Sequence, residues 1–233
     1  RMKKHLNIPV FIPHVGCPND CVFCNQRTIS GKEKFVALDI GPIGQLMRPT
    51  GSLTFEQCYD IFKEMCIAGE NAGADLIVLE TMMDLAEARA GVLAAKENTS
   101  LPVMVTMTYE ERGRTFLGHS PASAALTLEG LGADAIGVNC SLGPKALAPI
   151  VEQYLEKASV PVLLKPNAGL PRDVDGKTVF DVLPDEFSDD VAELVKKGVR
   201  ICGGCCGTTP DYIRATVEKT KDLTPVEVTK KNI

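Results

Sequence analysis

Cysteine thiols are the groups in this sequence most able to do chemistry, and their spacing matters more than their number. Cys17, Cys21 and Cys24 form one compact group, and Cys205 and Cys206 form a vicinal pair among glycines. The total of nine cysteines is odd, and we recognise no secretion signal, so we do not expect a disulfide framework. Grouped thiolates are typical ligands of soft metals. The sequence therefore predicts metal binding.

Cys140 and the vicinal pair are predicted to form one metal site. Cys140 ends a predicted strand in the run Gly137-Val-Asn-Cys, and Cys205 and Cys206 follow the last predicted strand. The carboxyl ends of the strands in a parallel barrel meet at one mouth, so residues distant in sequence can lie together there. Three thiolates would leave a fourth zinc position open, as catalytic zinc sites require. Two alternatives stay open, namely cysteines that only pack at strand ends and a strained, redox-active vicinal disulfide.

Six short apolar runs predict the strands that position these thiols. Their hydrophobicity is continuous rather than alternating, which is typical of strands buried on both faces of a parallel sheet. Helical patterns separate the runs, so the chain is predicted to be a right-handed parallel α/β protein. The predicted strands are Val36–Ile40, Leu76–Glu80, Val103–Met107, Ala135–Cys140, Val162–Lys165 and Arg200–Gly203.

The fold class that we expect is a parallel (β/α)8 TIM-type barrel that is incomplete at its N-terminus. A complete barrel of this type takes about 250 residues, and the chain after residue 35 has room for about six strand–helix units. Leu6–Pro13 could add a seventh strand. An open barrel exposes two strand edges, so we expect marginal stability and self-association.

Several motifs resemble the signature of the homocysteine S-methyltransferase family, which includes the homocysteine domain of cobalamin-dependent methionine synthase. The resemblance runs from residue 36 to about residue 220. It implies a methyltransferase barrel over residues 36–222 that lacks its first units, followed by a tail over residues 223–233. The motifs are Asp39-Ile-Gly-Pro42, Leu79-Glu-Thr81, Gly137-Val-Asn-Cys140, Lys165-Pro-Asn-Ala-Gly169 and Gly203-Gly-Cys-Cys-Gly-Thr208.

The resemblance implies an enzyme that transfers a methyl group to the thiol of homocysteine and so gives methionine. Cys140, Cys205 and Cys206 would bind zinc, and the homocysteine sulfur would take the fourth position. Coordination to zinc keeps a thiol deprotonated and therefore nucleophilic at neutral pH. The sequence does not distinguish methylcobalamin, betaine and S-methylmethionine as the methyl donor.

The same resemblance implies a role for three polar residues in substrate binding. Glu80 would bind the ammonium group of homocysteine, and Asn167 and Asp39 would each line the pocket or order its loop. Glu80 has an alternative role as a carboxylate that stabilises the N-terminus of the following helix. We expect Asn139, beside Cys140, to hydrogen-bond only the backbone.

Residues 1–35 do not fit that family. Their Cys17-x3-Cys21-x2-Cys24 spacing, with the aromatic Phe23, resembles the start of a radical S-adenosylmethionine protein. This resemblance implies a [4Fe–4S] cluster on the three thiolates, with S-adenosylmethionine on the fourth iron. A zinc site is the main competing interpretation, and three thiols of an unassembled fragment are the other. The chain as a whole would then be a radical enzyme or an inactive metal-binding fusion fragment instead of a methyltransferase.

Composition excludes some partners. The net charge is −5, with no basic tract, which is a poor match for a protein that binds a nucleic-acid backbone. No apolar run reaches the length of about 20 residues that spans a bilayer, so we expect no membrane partner. Hydrophobic residues make up 45% of the chain and charged residues 24%, as in soluble proteins. We therefore expect a cytoplasmic protein.

Overall fold

A six-stranded, wholly parallel sheet is the centre of the computed structural model, which describes residues 35–224 and 226–231. The strands of the sheet occur in chain order from one edge to the other, with one extra hairpin inserted before the last strand. The sheet strands are β1 (Ala37–Ile40), β2 (Leu76–Met82), β3 (Val103–Met107), β4 (Ala135–Asn139), β5 (Val162–Lys165) and β8 (Val199–Cys202). All six predicted strands are confirmed to within two residues at each end.

Helices alternate with the strands, as the predicted α/β pattern requires. Helix α1 begins at a capping box, because the side chains of Thr54 and Gln57 each accept a hydrogen bond from the other's backbone N–H. Its inner face buries Phe62 and Cys66 completely. None of the helices in the described part of the chain is long and apolar enough to cross a bilayer. The helices are α1 (Phe55–Asn71), α2 (Leu85–Asn98), α3 (Pro121–Gly130), α4 (Pro144–Lys157), α5 (Pro184–Lys197) and α6 (Pro210–Thr220).

The main core lies between the sheet and these helices, and it fixes how closely neighbouring strands approach. A Cβ atom on Gly137 in β4 would lie 1.8 Å from the carbonyl oxygen of Leu163 in β5, so only glycine fits there. Tyr109 and Tyr154 are fully buried and satisfy each other with a hydroxyl–hydroxyl hydrogen bond of 2.7 Å. Their rings meet edge to face, an arrangement that aromatic pairs favour.

The sheet remains open between β1 and β8 in the part of the chain that the structure describes. This agrees with the expected TIM-type barrel that is incomplete at its N-terminus. The seventh strand predicted at Leu6–Pro13 lies outside the described residues. Both β1 and β8 have one free edge among the described strands, which is where the predicted self-association would take place.

A short antiparallel hairpin, β6 (Pro171–Val174) and β7 (Lys177–Phe180), is an element that we did not predict. Most of its residues are exposed, so it shows no apolar run like those of the buried strands. The Asp175-Gly176 turn, with positive φ at both residues, is a typical hairpin signal and could have located it. The hairpin lies beside the vicinal cysteines, because the Phe180 ring would be 2.3 Å from a Cβ atom on Gly207.

Candidate metal and substrate site

Three thiols from two strand ends meet at the carboxyl end of the sheet. Cys140 follows β4, and Cys205 and Cys206 follow β8, and their Sγ atoms all lie within 4.8 Å of one another. The Sγ atoms of Cys140 and Cys206 are 3.8 Å apart. Cys140 and Cys205 are half-buried, whereas Cys206 is exposed. The predicted meeting of these three cysteines is therefore present in the structure.

Backbone hydrogen bonds hold the two thiol-bearing loops against the intervening strand β5. The Cys140 N–H donates to the carbonyl of Lys165 (3.0 Å), and the Cys205 N–H donates to the carbonyl of Pro166 (2.8 Å). Cys140 has a φ of 59°, a left-handed conformation that is uncommon for a residue with a side chain and frequent at functional sites. The loops thus fix the thiols through main-chain contacts rather than through the thiols themselves.

The thiols influence one another's ionisation. Hydrogen bonding from the Cys205 thiol lowers the pKa of Cys140 to about 5, against the opposing effect of burial. The pKa of Cys205 is raised, first by that same hydrogen bond to Cys140 and then by burial. Burial and the nearby Cys140 also raise the pKa of Cys206. Hydrogen bonding among the thiols therefore favours ionisation of Cys140 and, with like-charge repulsion, opposes ionisation of its two neighbours.

The thiol geometry fits a tetrahedral zinc ion. Zinc–sulfur bonds are about 2.3 Å long, and the tetrahedral angle then separates two sulfur ligands by about 3.8 Å, which equals the observed Cys140–Cys206 distance. A divalent cation would also remove the repulsion between the thiolates. Because the cluster contributes only three ligands and Cys206 is exposed, a fourth ligand can reach it from solvent.

A buried ion pair lies beside the thiols. Lys165 donates from Nζ to Glu80 Oε2, and the two side chains are only 5% and 14% exposed, respectively. The side-chain amide of Asn139 donates to Glu80 Oε1 at 3.2 Å and lies 3.9 Å from Cys205 Sγ. Glu80 and the thiol cluster are therefore separated by a single amide group. Asp84, rather than Glu80, caps helix α2, and the role of Glu80 in substrate binding stays a prediction.

Asp39 and Asn167 lie at the same end of the sheet. Burial, followed by repulsion from Glu80, raises the pKa of Asp39 to about 7, although Lys165 opposes the shift. The Oδ1 atom of Asp39 is buried and has no hydrogen-bond partner among the described residues. The amide oxygen of Asn167 accepts a hydrogen bond of 3.1 Å from the Cys206 N–H. Asn167 thus orders the loop of the vicinal pair.

Asn139 and Lys165 are the residues that sequence reasoning missed. We expected Asn139 to contact only backbone, and this was wrong, because its side chain contacts Glu80, Thr81 and Cys205 as well as the Thr81 backbone N–H. Both missed residues stood in motifs that were already singled out. A polar residue at the end of a strand, fully buried in a parallel sheet, was the signal that could have found them.

The remaining cysteines divide into two groups. Cys58 and Cys66 are buried in the core, and Cys202 packs against it, which is why none of them joins the thiol cluster. Cys17, Cys21 and Cys24 lie outside the described residues, so the [4Fe–4S] cluster and bound S-adenosylmethionine stay predictions.

Two methionine synthases are similar in sequence to most of the chain. Methionine synthase of Mycobacterium leprae (strain TN) is 32% identical over 196 residues, which are 82% of this chain and 16% of that protein. Methionine synthase of Mycobacterium tuberculosis (strain ATCC 25618 / H37Rv) is 32% identical over 189 residues, or 78% of this chain and 16% of that protein. The chain thus spans about one sixth of the length of these relatives.

Solved structures of similar fold include the homocysteine methyltransferase MmuM from Escherichia coli. Its apo form matches with a TM-score of 0.66 and 21% identity, over 84% of this chain and 66% of that one. Its metallated form matches with a TM-score of 0.65 and 21% identity, over 79% and 61% of the two chains. At this identity the likeness shows the shared fold alone.

A family comparison covers most of the chain directly. The model of homocysteine S-methyltransferases matches residues 21–220, which begins before residue 36, where our resemblance began. The division of the chain between residues 35 and 36 stays a prediction. Because the match covers far more than half of the sequence and retains the three clustered cysteines, the chain belongs to the homocysteine S-methyltransferase family.

Proposed function

We propose that the chain binds zinc through Cys140, Cys205 and Cys206 and methylates the thiol of homocysteine to give methionine. The observation that carries this proposal is the group of three thiols within 4.8 Å of one another at the carboxyl end of a parallel sheet. A buried ion pair between Lys165, at the end of β5, and Glu80, near the end of β2, lies beside it. A metal site with an open position and charged groups nearby is typical of a catalytic centre rather than a structural one.

Zinc held by three thiolates would favour the deprotonated form of a fourth thiol ligand, so the homocysteine sulfur would be an electron-rich nucleophile. As its new bond to the methyl carbon formed, the bond from that carbon to the donor's leaving group would break. The protein's own residues perform the other tasks. Asn139 fixes the position of Glu80 relative to Cys205, and Asn167 fixes the backbone of Cys206. Such contacts around the ligands orient them and tune the affinity for metal.

In this proposal Glu80 binds the ammonium group of homocysteine. The sulfur and the amino nitrogen of homocysteine are four covalent bonds apart, and one amide group separates Glu80 from Cys205. Asp39 adds a second carboxyl group whose buried Oδ1 has no other partner among the described residues. A cation between these two groups would also lessen the repulsion that raises the pKa of Asp39.

The methyl donor is the open part of the proposal. Methylcobalamin, betaine and S-methylmethionine are the candidates, and the relatives named methionine synthase are several times longer than this chain. In those relatives, segments that bind the donor can therefore lie outside the part that this chain matches. Each of the three donors therefore has to be tested in an activity assay.

The first test is the metal content of protein purified without oxygen, beside a variant with Cys205→Ser and Cys206→Ser. We expect about one zinc per chain, lost in the variant. Iron and sulfide near four per chain and unchanged in the variant would favour the cluster predicted at Cys17, Cys21 and Cys24. A protein that contains neither zinc nor iron would contradict both metal predictions.

The second test is methionine formation from homocysteine with each of the three donors. Turnover with one donor, abolished by the double cysteine variant, is the expected result. Zinc binding without turnover by any donor would contradict the proposed activity for this chain and favour the inactive metal-binding fragment.

A further inference from the structure

The ion pair between Lys165 and Glu80 has an unusual position for a purely structural contact. Lys165 ends β5 and Glu80 lies near the end of β2, so the pair reaches across the ends of the two strands between them. Both side chains are almost fully buried. Removing two charges from water costs several kcal/mol for each ion, so a buried pair of this kind is weak evidence for stability alone.

The pair is also attached to the thiol cluster on both sides. The carbonyl of Lys165 accepts the hydrogen bond of the Cys140 N–H, and Glu80 is linked to Cys205 through the amide of Asn139. The aliphatic stem of Lys165 passes close to the backbone of Gly203, at the start of the loop that carries the vicinal cysteines. A positive and a negative group thus lie side by side next to the metal-binding thiols.

We infer that Lys165 binds the carboxylate of the amino-acid substrate, while Glu80 binds its ammonium group. The inference rests on the proposed function and adds to it the residue that recognises the carboxylate of homocysteine, a zwitterionic α-amino acid. On binding, the Lys165–Glu80 contact opens and each partner takes the opposite charge of the substrate. The net charge of the pocket is unchanged, because a zwitterion brings one charge of each sign.

A thiol with only one charged group would bind less well for a definite reason. An aminothiol without a carboxylate competes with Lys165 for Glu80 but offers Lys165 no anion in exchange. A mercapto acid without an ammonium group competes with Glu80 for Lys165 but offers Glu80 no cation in exchange. Charged hydrogen bonds in buried sites contribute enough to change affinity by about tenfold to a hundredfold.

The test measures thiol binding to the zinc-loaded protein by isothermal titration calorimetry, with no methyl donor present. Three thiols are compared, namely homocysteine, 3-mercaptopropylamine, which lacks the carboxylate, and 4-mercaptobutanoate, which lacks the ammonium group. The parent protein should bind homocysteine at least about tenfold more tightly than either analogue. Lys165→Met should lose most of the preference for homocysteine over 3-mercaptopropylamine, and its affinity for the aminothiol should stay the same or rise.

Lys197→Met is the matched control, because Lys197 also forms an ion pair, with Glu152 at 2.6 Å, but at an exposed position. It should leave all three affinities unchanged. If the role of Lys165 is structural, Lys165→Met should instead lower the affinity for all three thiols by a similar factor. That result would overturn the inference.

Failure of the inference and of the proposed function give different results. An unchanged preference in Lys165→Met would overturn the role of Lys165 and leave the proposed function intact. No binding of homocysteine by the zinc-loaded parent would overturn both. If Lys165→Met does not fold, the parent alone decides, because equal affinities for homocysteine and 3-mercaptopropylamine would overturn the inference.

Discussion

The backbone N–H of Cys206 donates a hydrogen bond of 3.1 Å to the side-chain oxygen of Asn167. Asn167 is itself buried, and its own N–H donates to the carbonyl of Leu142, in the loop that follows Cys140. One residue, through its side chain and its backbone N–H, thus joins the loops that carry the first and the last of the three clustered thiols.

Replacing Asn167 with leucine should weaken zinc binding by about tenfold to a hundredfold, the usual effect of losing a residue that orients metal ligands. The measurement is competition for zinc with a chromogenic chelator. Asn98→Leu is the control, because Asn98 also makes partly buried hydrogen bonds, but in helix α2, to Tyr59 and Ala94. Equal zinc affinity in the Asn167 variant and the parent would contradict the orienting role.

Cys140→Ala should reduce the zinc content from about one per chain to near zero, because two remaining thiolates do not complete a site of this type. The comparison is Cys202→Ala, which removes a thiol from the end of β8 that takes no part in the cluster. Zinc is measured by elemental analysis after dialysis against a limiting chelator. Loss of zinc from both variants would mean that zinc binding depends on the fold of this region and not on the Cys140 thiol itself.

Asp39→Asn should remove a pH dependence of stability. The pKa of Asp39 is raised from 3.8 to about 7, so the folded protein keeps a proton that the unfolded chain has released above about pH 4. The free energy of unfolding therefore falls as the pH rises from about 4 to 7. Relative to the parent, Asp39→Asn should gain stability over that range, on the order of 1–2 kcal/mol after allowance for solvent screening.

Urea unfolding of the metal-free, reduced proteins at pH 4, 6 and 8 checks this expectation for Asp39. Asp60→Asn, at an exposed position of helix α1, is the matched control for the loss of one carboxylate. A stability difference between Asp39→Asn and the parent that is the same at all three pH values would be the contrary result.

Gly137→Ala should destabilise the protein strongly, by about 3 kcal/mol or more. The Cβ atom of the new alanine would overlap the backbone of β5. The position is two residues before Asn139, so zinc affinity should fall with stability. Gly41→Ala is the control, since a Cβ atom there would meet nothing within 4 Å. Urea unfolding measures both variants, and equal stabilities would mean that β4 can move away from β5 at little cost.

The fold was largely predictable because its strands are short, apolar and buried, so local composition reports their position directly. Cys140, Cys205 and Cys206 were predictable as one site because parallel strands place their carboxyl ends together. The pairing of Lys165 with Glu80 was not, because 85 positions separate them and a sequence pattern does not show which polar side chains meet. The exposed hairpin β6–β7 was not predicted, because it buries too little apolar surface to show a hydrophobic pattern in the sequence.

The edge position of β8 has a consequence for the whole C-terminal part of the chain. This strand is hydrogen-bonded to β5 alone among the described strands, yet the loop that follows it supplies two of the three clustered thiols. A zinc ion shared with Cys140 would cross-link segments that are 66 positions apart, and it would bind the docked arrangement but not the separated one. Metal occupancy and the docking of β8 and α6 are then thermodynamically coupled. Chelation should accordingly speed amide hydrogen exchange in α6 more than in α1, which makes the C-terminal helix an internal reporter of whether the site is filled.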